Sequence, residues 1–155
     1  MGKQPDNQER ERIARLAATC VCNNLRRAAR AATSYYDGIL GQASSLRVSQ
    51  VTVLVVLYLA GSRTINALAE QLALDRTTLT RNLKPLAQEG LLTSAAGRDQ
   101  RTRVVTLTAQ GEEALLRALP LWEQAQAHMV AGMGQAQVAA LLAQLSATAA
   151  LAHNT

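Results

Sequence analysis

The stretch that decides the fold is DRTTLTRNLKPLAQEGLLTSAAGRDQRTRVVTLT, residues 75–108. Asp75 is a good helix N-cap and Gly90 is a good helix stop, so its first half is predicted to be one helix. Three leucines at helical spacing mark the buried side of that helix: Leu79, Leu83 and Leu86. Around Gly97 the pattern changes toward alternation, which predicts a β-hairpin.

Helices are predicted on both sides of this stretch. Thr64 is the expected N-cap of a short helix whose apolar residues recur at helical spacing: Ile65, Leu68, Ala69 and Leu72. Two short helices joined at residues 73–75 and followed by a hairpin make a winged helix-turn-helix. Thr108 is expected to cap a further helix that Pro120 kinks or breaks, and residues 135–152 read as a last apolar helix.

The N-terminal segment is predicted to be one long helix over residues 8–36, because it is rich in Ala and Arg and lacks Pro and Gly. A connection over residues 38–46 then leads to a buried helix with Ser49 as its N-cap and Gly61 after its end. One small domain cannot cover the first and last helices, so we expect a second copy of the chain to pack against them.

The expected fold is therefore mostly α with a small β-hairpin wing, in three parts. Residues 1–47 are predicted to form an N-terminal dimerisation helix and connection, and residues 48–108 the winged helix-turn-helix lobe. Residues 109–155 are predicted to form the C-terminal dimerisation helices.

The net charge of +5 is unevenly distributed. Residues 9–30 hold six Arg against two Glu, a balance of +4, and residues 63–103 hold seven basic against four acidic side chains, a balance of +3. Residues 109–155 hold one Arg against three Glu, a balance of −2. A basic front and an acidic tail favour a polyanionic partner.

Several classes of protein are not expected. The sequence has no phosphate-binding Gly loop, no HExxH and no G-x-S-x-G, and two His are too few for a metal site, so we predict neither an enzyme nor a cofactor nor a metal. The polar N-terminus is unlike a signal peptide, and the most apolar run, residues 51–60, is too short to span a bilayer. With only two cysteines, a cytoplasmic protein without membrane contact is the expectation.

The helix predicted to begin at Asp75 has a polar side, free of acids, opposite its leucines. It carries Thr77, Thr80, Arg81, Lys84 and Gln88. Arg and Lys can pair with guanine edges or phosphates, and Thr can reach a phosphate or a thymine methyl. Thr78 joins Thr77 near the helix N-terminus, where the helix dipole favours phosphate. The alternative is an ordinary solvated face, but such faces usually mix charges of both signs.

The tip of the predicted hairpin places three arginines around a turn: Arg98, Arg101 and Arg103. A guanidinium at a hairpin tip can enter the narrow minor groove of DNA, where the negative potential attracts it. Phosphates would repel Asp99, so its expected role is internal, either accepting hydrogen bonds from turn amides or orienting Arg101 through a bidentate pair.

Three runs together resemble the MarR family of bacterial regulators: DRTTLTRNLKPLAQEGLL, the D-Q-R triplet at residues 99–101, and VVTLTAQG at residues 104–111. The resemblance is densest over residues 64–116. It implies a homodimeric winged-helix protein with both chain ends interleaved in the dimer. Such proteins usually repress genes and release DNA on binding a small phenolic or lipophilic ligand, or on cysteine oxidation.

The same resemblance implies roles for individual residues. It implies that Thr77, Thr78, Thr80 and Arg81 contact the major groove. It implies that Arg101 is the arginine of the wing in the minor groove and that Asp99 braces it.

The predicted function is a sequence-specific regulator of transcription, a repressor, that binds a pseudo-palindromic double-stranded DNA operator as a homodimer. The predicted DNA-binding residues are Thr77, Thr78, Thr80, Arg81, Lys84, Arg98, Arg101 and Arg103. The alternative is a winged-helix module that serves protein–protein assembly without reading DNA. The cationic, acid-free helix face argues against that alternative.

Cys20 and Cys22 are candidate redox sensors. On one continuous helix they would lie roughly 200° apart, so they could not bond to each other without unwinding it. Arg15 and Arg26, on the same side as Cys22, would favour its reactive thiolate. The favoured interpretation is that both are small residues chosen for tight helix packing; oxidation sensing comes next, and metal or metalloid binding last.

Overall fold

The computed structural model describes residues 6–97 and 102–153. In chain order, the elements are α1 (Asn7–Thr19), α2 (Val21–Leu40), α3 (Val48–Ala60), β1 (Arg63–Thr64), α4 (Ile65–Gln71), α5 (Arg76–Gln88), β2 (Leu92–Ala96), β3 (Arg103–Leu107), α6 (Ala109–Met133) and α7 (Gln135–His153). This confirms the mostly α fold with a small β-hairpin. The chain before Tyr36 forms one compact unit, and the chain from Tyr36 onward forms another. The three-part division at residues 47/48 and 108/109 stays a prediction.

The prediction of one continuous N-terminal helix is wrong, because the chain breaks into α1 and α2 at Cys20. The Cys20 backbone is extended there (φ −64°, ψ 109°). The side-chain amide of Asn24 donates to the carbonyl oxygens of Ala18 at 3.1 Å and Cys20 at 3.0 Å. The Cys20 carbonyl also accepts the backbone N–H of Asn24, whereas the bond to Ala18 satisfies a carbonyl that the end of α1 leaves without a helical partner. The break contains no Pro or Gly, so a prediction based on helix propensity did not detect it.

One leucine-rich core holds α3, α4, α5 and the sheet together. Its fully buried side chains include Leu54, Leu57, Leu68, Leu79, Leu86 and Val105. Three of the four predicted N-caps are confirmed: Thr64, Asp75 and Thr108 each accept a hydrogen bond from a backbone N–H of the following first helical turn. Between α4 and α5 the chain turns through Ala73, whose φ of 50° lies in the left-handed region.

The predicted hairpin is confirmed, and the sheet gains a third strand that the sequence did not reveal. The strand order is β1-β3-β2, and both pairings are antiparallel. The hairpin register runs from Leu92 opposite Leu107 to Ala96 opposite Arg103. The missed strand, β1, has only two residues, Arg63 and Thr64, which is too short to show a period of two.

The entry to α3 also differs from prediction. α2 continues to Leu40, so the connection is shorter than residues 38–46, and the N-cap of α3 is Arg47 rather than Ser49. The Arg47 side chain accepts no capping bond. Instead, the Asp37 carboxylate accepts the backbone N–H of Val48 at 2.7 Å. The cap of α3 therefore comes from α2.

The C-terminal helices follow the predicted order, except that Pro120 does not divide α6 in two. Pro120 lies on an exposed face, and the preceding turn includes Leu116, which is half-exposed, so water can reach the carbonyl that the proline leaves unbonded. None of residues 135–152 of α7 is buried. By length and composition alone α7 is apolar enough to cross a bilayer, contrary to the expectation from the sequence, although this is weak evidence of insertion.

Candidate nucleic-acid interface

The N-terminus of α5 is capped by the side chain of Asp75. One oxygen of its carboxylate accepts the backbone N–H of Thr78 at 2.8 Å, and the other accepts the Thr78 hydroxyl at 2.6 Å. The Thr78 hydroxyl, followed by the Thr78 backbone N–H, lowers the pKa of Asp75 below its usual range. This carboxylate is thus ionised and committed to its own helix.

The three threonines predicted to face DNA are not equivalent. The Thr78 hydroxyl donates to Asp75, and the Thr80 hydroxyl donates to the carbonyl oxygen of Arg76 at 2.8 Å. Thr77 is exposed, and within residues 6–97 and 102–153 its side chain makes no hydrogen bond. Of the three, only Thr77 therefore keeps a hydroxyl proton free for a ligand.

An open groove of about 610 Å³ runs between α5 and the sheet. Its cationic lining residues come from two elements: Arg76, Arg81 and Lys84 from α5, and Arg103 from β3. The hydroxyls of Thr77, Thr80 and Ser94 lie among them, and the floor is apolar. Among the residues that the structure describes, no Asp or Glu lines this groove. None of its four cations forms an ion pair with another described residue. The ion pair found among the described residues joins Arg117 and Glu113 on α6.

The fold brings together five of the residues predicted from sequence: Thr77, Thr80, Arg81, Lys84 and Arg103. Thr78 is half-buried beside them and serves as a cap. The predicted contacts Arg98 and Arg101, with the predicted brace Asp99, lie outside the residues that the structure describes, so their roles remain predictions. Within the described chain, no group of three or more His, Cys, Asp or Glu side chains could hold a metal ion.

Sequence analysis missed Arg76, the first residue of α5. A residue three positions before Leu79 lies only about 60° from the buried stripe on a helical wheel, so the analysis of the opposite face left it out. In the fold the groove extends around this side of the helix because β3 lies beside it. The sequence signal that could have identified Arg76 was a cation at the first helical position, directly after an acid that serves as the N-cap.

Cys20 and Cys22 lie at the break between α1 and α2. Cys20 is half-buried and non-helical, whereas Cys22 is exposed in the first turn of α2. The argument that one continuous helix holds the two thiols apart is therefore wrong, because that helix is already interrupted.

Comparison with known proteins places this geometry in a family. The MarR family profile matches residues 46–102. The transcriptional regulator MosR of M. tuberculosis, solved in complex with DNA, is 38% identical, with 86% of this chain and 98% of that chain covered and a TM-score of 0.74. No curated protein matches the sequence significantly.

More distant structures share the fold. PcaV of Streptomyces coelicolor, solved with its natural ligand, is 21% identical over 88% of this chain and 96% of its own, with a TM-score of 0.77. A mutant MarR of E. coli, solved with operator DNA, is 19% identical over 86% of this chain and 96% of its own, with a TM-score of 0.75.

Proposed function

Because the chain belongs to the MarR family of transcriptional regulators, we propose that it is a repressor that binds a specific double-stranded DNA operator as a homodimer. The observation that carries this proposal is the groove beside α5, whose lining in the described part of the chain has four cations without ion pairs and no acid. A relative 38% identical has been solved in complex with DNA, which supports the same partner here.

In this proposal α5 enters the major groove. Arg81, Lys84 and Thr77 are the groups that can reach base edges, since their polar atoms are free of partners in the described chain. Arg103 approaches the backbone from β3, and Arg101 at the hairpin tip is assigned to the minor groove. Two copies related by a two-fold axis would then read half-sites about one helical turn apart.

The homodimer proposal rests on apolar surface that the single chain leaves uncovered. On α7 it includes Leu142 at 56% and Leu151 at 76% exposure, and on α1 it includes Ile13 at 61% and Leu16 at 67%. Monomeric soluble proteins rarely expose so many large apolar residues along whole helices. We propose that a second chain covers them, which would keep α7 out of a membrane and the protein in the cytoplasm.

We assign release of DNA to one of two signals, a small phenolic or lipophilic ligand or oxidation of Cys20 and Cys22. The helix break places the two cysteines at a segment without a continuous hydrogen-bonded helix. Hydrogen peroxide would oxidise one thiol to a sulfenic acid and be reduced to water; the second thiolate would then attack that sulfur and displace hydroxide, which takes up a proton to form a second water as the disulfide closes. For a ligand, candidate contacts are Trp122, 37% exposed, and Tyr36, whose hydroxyl bonds the Gln126 side-chain oxygen at 2.6 Å.

Selection of bound duplexes from a random pool tests the DNA proposal. We expect one pseudo-palindromic motif, and we expect affinity for it to fall steeply as salt is raised. Equally weak affinity for every duplex would contradict the proposal and would favour the alternative of a protein–protein assembly module. Sedimentation of the same protein as a monomer would contradict the homodimer.

Peroxide treatment tests the redox signal. Wild type is compared with Cys20→Ser and Cys22→Ser, with release of the selected operator as the readout. Loss of release in both variants would support a Cys20–Cys22 disulfide. An unchanged response in both would assign the thiols a structural role and leave the ligand as the release signal.

A further inference from the structure

A second, smaller cleft lies where the heads of α4 and α5 meet the start of β3. Its volume is about 30 Å³, and its polar lining includes Asn66, Arg76 and Arg103. It adjoins the larger groove, with which it shares Ile65 and the two arginines. A cavity of about 10–15 Å³ is roughly what one water needs, so this cleft has room for about two oxygen atoms.

The chemistry of this cleft is that of an anion site. Within residues 6–97 and 102–153, no carboxylate lines the cleft, and both arginine side chains are exposed and make no hydrogen bond or ion pair. Asp75, the acid next to Arg76 in sequence, forms no ion pair with it, and both of its carboxylate oxygens accept hydrogen bonds from Thr78. Two arginines therefore line one cleft, and among the described residues neither guanidinium forms an ion pair.

The two arginines are also held on rigid elements. Arg76 begins α5, whose Leu79 is fully buried, and Arg103 begins β3, whose Val105 is fully buried in the same core. The backbone positions from which the two side chains extend are therefore set by packing before any ligand arrives, which reduces the entropy lost on binding.

We propose that Arg76 and Arg103 together bind one backbone phosphate of the DNA duplex, with Asn66 beside it. The two non-bridging oxygens of a phosphodiester can each accept from one guanidinium, and the volume of the cleft suits those oxygens. This contact carries no sequence information; it sets the position and angle of α5 in the major groove. The inference rests on the proposed function and adds Arg76 and Asn66 to its binding surface.

The test uses the full-length protein and its selected operator, with single phosphates replaced by neutral methylphosphonates along each half-site. In wild type, one position should reduce affinity about 10- to 100-fold, the range expected for hydrogen bonds to a charged group. In Arg76→Ala and Arg103→Ala alike, neutralisation at that same position should cost clearly less than in wild type, and in the double variant it should cost nothing further. Both variants should weaken all duplexes uniformly, with an unchanged motif and a shallower salt dependence.

Arg117→Ala is the matched control, since Arg117 is an exposed arginine on α6 that pairs with Glu113 at 3.7 Å. It should keep the full wild-type methylphosphonate profile. Thermal unfolding of each variant shows whether its fold is retained, as the exposure of Arg76 and Arg103 leads us to expect.

Loss of sensitivity at two different phosphates in the two variants, or at none, would overturn the shared site. If wild type meanwhile still selects its motif, the proposed function survives that result. If wild type binds no duplex in preference to others, the proposed function fails, and the phosphate site fails with it.

Discussion

Gly111→Ala is expected to destabilise the protein, although Gly111 lies in a helix, where alanine is normally preferred. A Cβ built at Gly111 overlaps the carbonyl oxygen of Leu91, and it lies 2.9 Å from the Leu91 carbonyl carbon and 2.7 Å from the Leu107 Cδ1. Real Cβ atoms essentially never come this close to other heavy atoms. The overlapped atom belongs to the backbone, so a side-chain rotation cannot relieve the contact.

The hydrogen bonds of Thr108 hold Gly111 close to the Leu91 carbonyl. Its backbone N–H donates to the Leu91 carbonyl at 3.2 Å, and its hydroxyl donates to the Gly90 carbonyl at 2.7 Å while accepting the Gly111 N–H at 3.0 Å. These bonds hold the first turn of α6 against the end of the helix-turn-helix. Moving α6 away to admit a methyl group would lengthen them.

The magnitude follows from three effects. Replacing Gly by Ala inside a helix stabilises by about 1 kcal/mol. Overpacking costs about 1–3 kcal/mol, and the upper end applies where backbone must move. Weakening one of the Thr108 hydrogen bonds costs about 1 kcal/mol more. The steric and hydrogen-bonding losses exceed the propensity gain, so we expect a net loss of about 2–3 kcal/mol in the free energy of unfolding.

Urea unfolding followed by circular dichroism measures this, at several protein concentrations because the protein is proposed to dimerise. Gly132→Ala is the control in the same helix, because a Cβ there meets nothing within 4 Å. It should gain stability, up to about 1 kcal/mol. A Gly111→Ala protein as stable as wild type would refute the argument that contact with Leu91 requires glycine.

Three further predictions concern the ends of the lobe's helices. Asp75→Ala should lower the urea midpoint more than Asp75→Asn. Because the pKa of Asp75 is lowered in the fold, the stability that its charge contributes should be present at neutral pH and decline as acid protonates the carboxylate below about pH 4. A stability difference between wild type and Asp75→Asn that grows in acid would contradict this. Ala73→Gly should not destabilise, since Ala73 has φ of 50°, whereas Ala87→Gly in α5 should lose about 1 kcal/mol by the same urea assay; equal losses at both positions would show that the turn imposes no strain. Asp37→Ala should lower the free energy of unfolding, measured by thermal unfolding, by about 1 kcal/mol, because it removes the side-chain oxygen that accepts the Val48 N–H at 2.7 Å. Asp37→Asn should recover most of this stability, and no recovery would mean that the oxygen does not act as a cap.

The sequence determined the features whose physics is local. Thr64, Asp75 and Thr108 were identified as caps because each bonds a backbone N–H three residues ahead. The leucine stripe of α5 was visible because 3.6 residues per turn place Leu79 and Leu83 on one side. The polar face opposite that stripe was predicted for the same reason, and Thr77, Thr80, Arg81 and Lys84 do line one groove.

One miss was local as well. Asn24 bonds carbonyls only four and six residues before it, yet its effect on the break at Cys20 escaped an analysis based on helix propensity and Pro or Gly punctuation. A side chain that competes for backbone carbonyls interrupts a helix without any of those signals. That miss mattered because it removed the argument that kept the two thiols apart.

Only the tertiary structure decided the rest, because those features join residues distant in sequence. Asp37 caps a helix that begins eleven residues later, and Gly111 meets a carbonyl at Leu91. Arg76 looked close to the buried stripe until β3 was placed beside it with Arg103. Spacing along a helix fixes which face a residue occupies, but the partner that this face meets depends on how distant segments pack, and the phosphate-sized cleft exists only because they pack there.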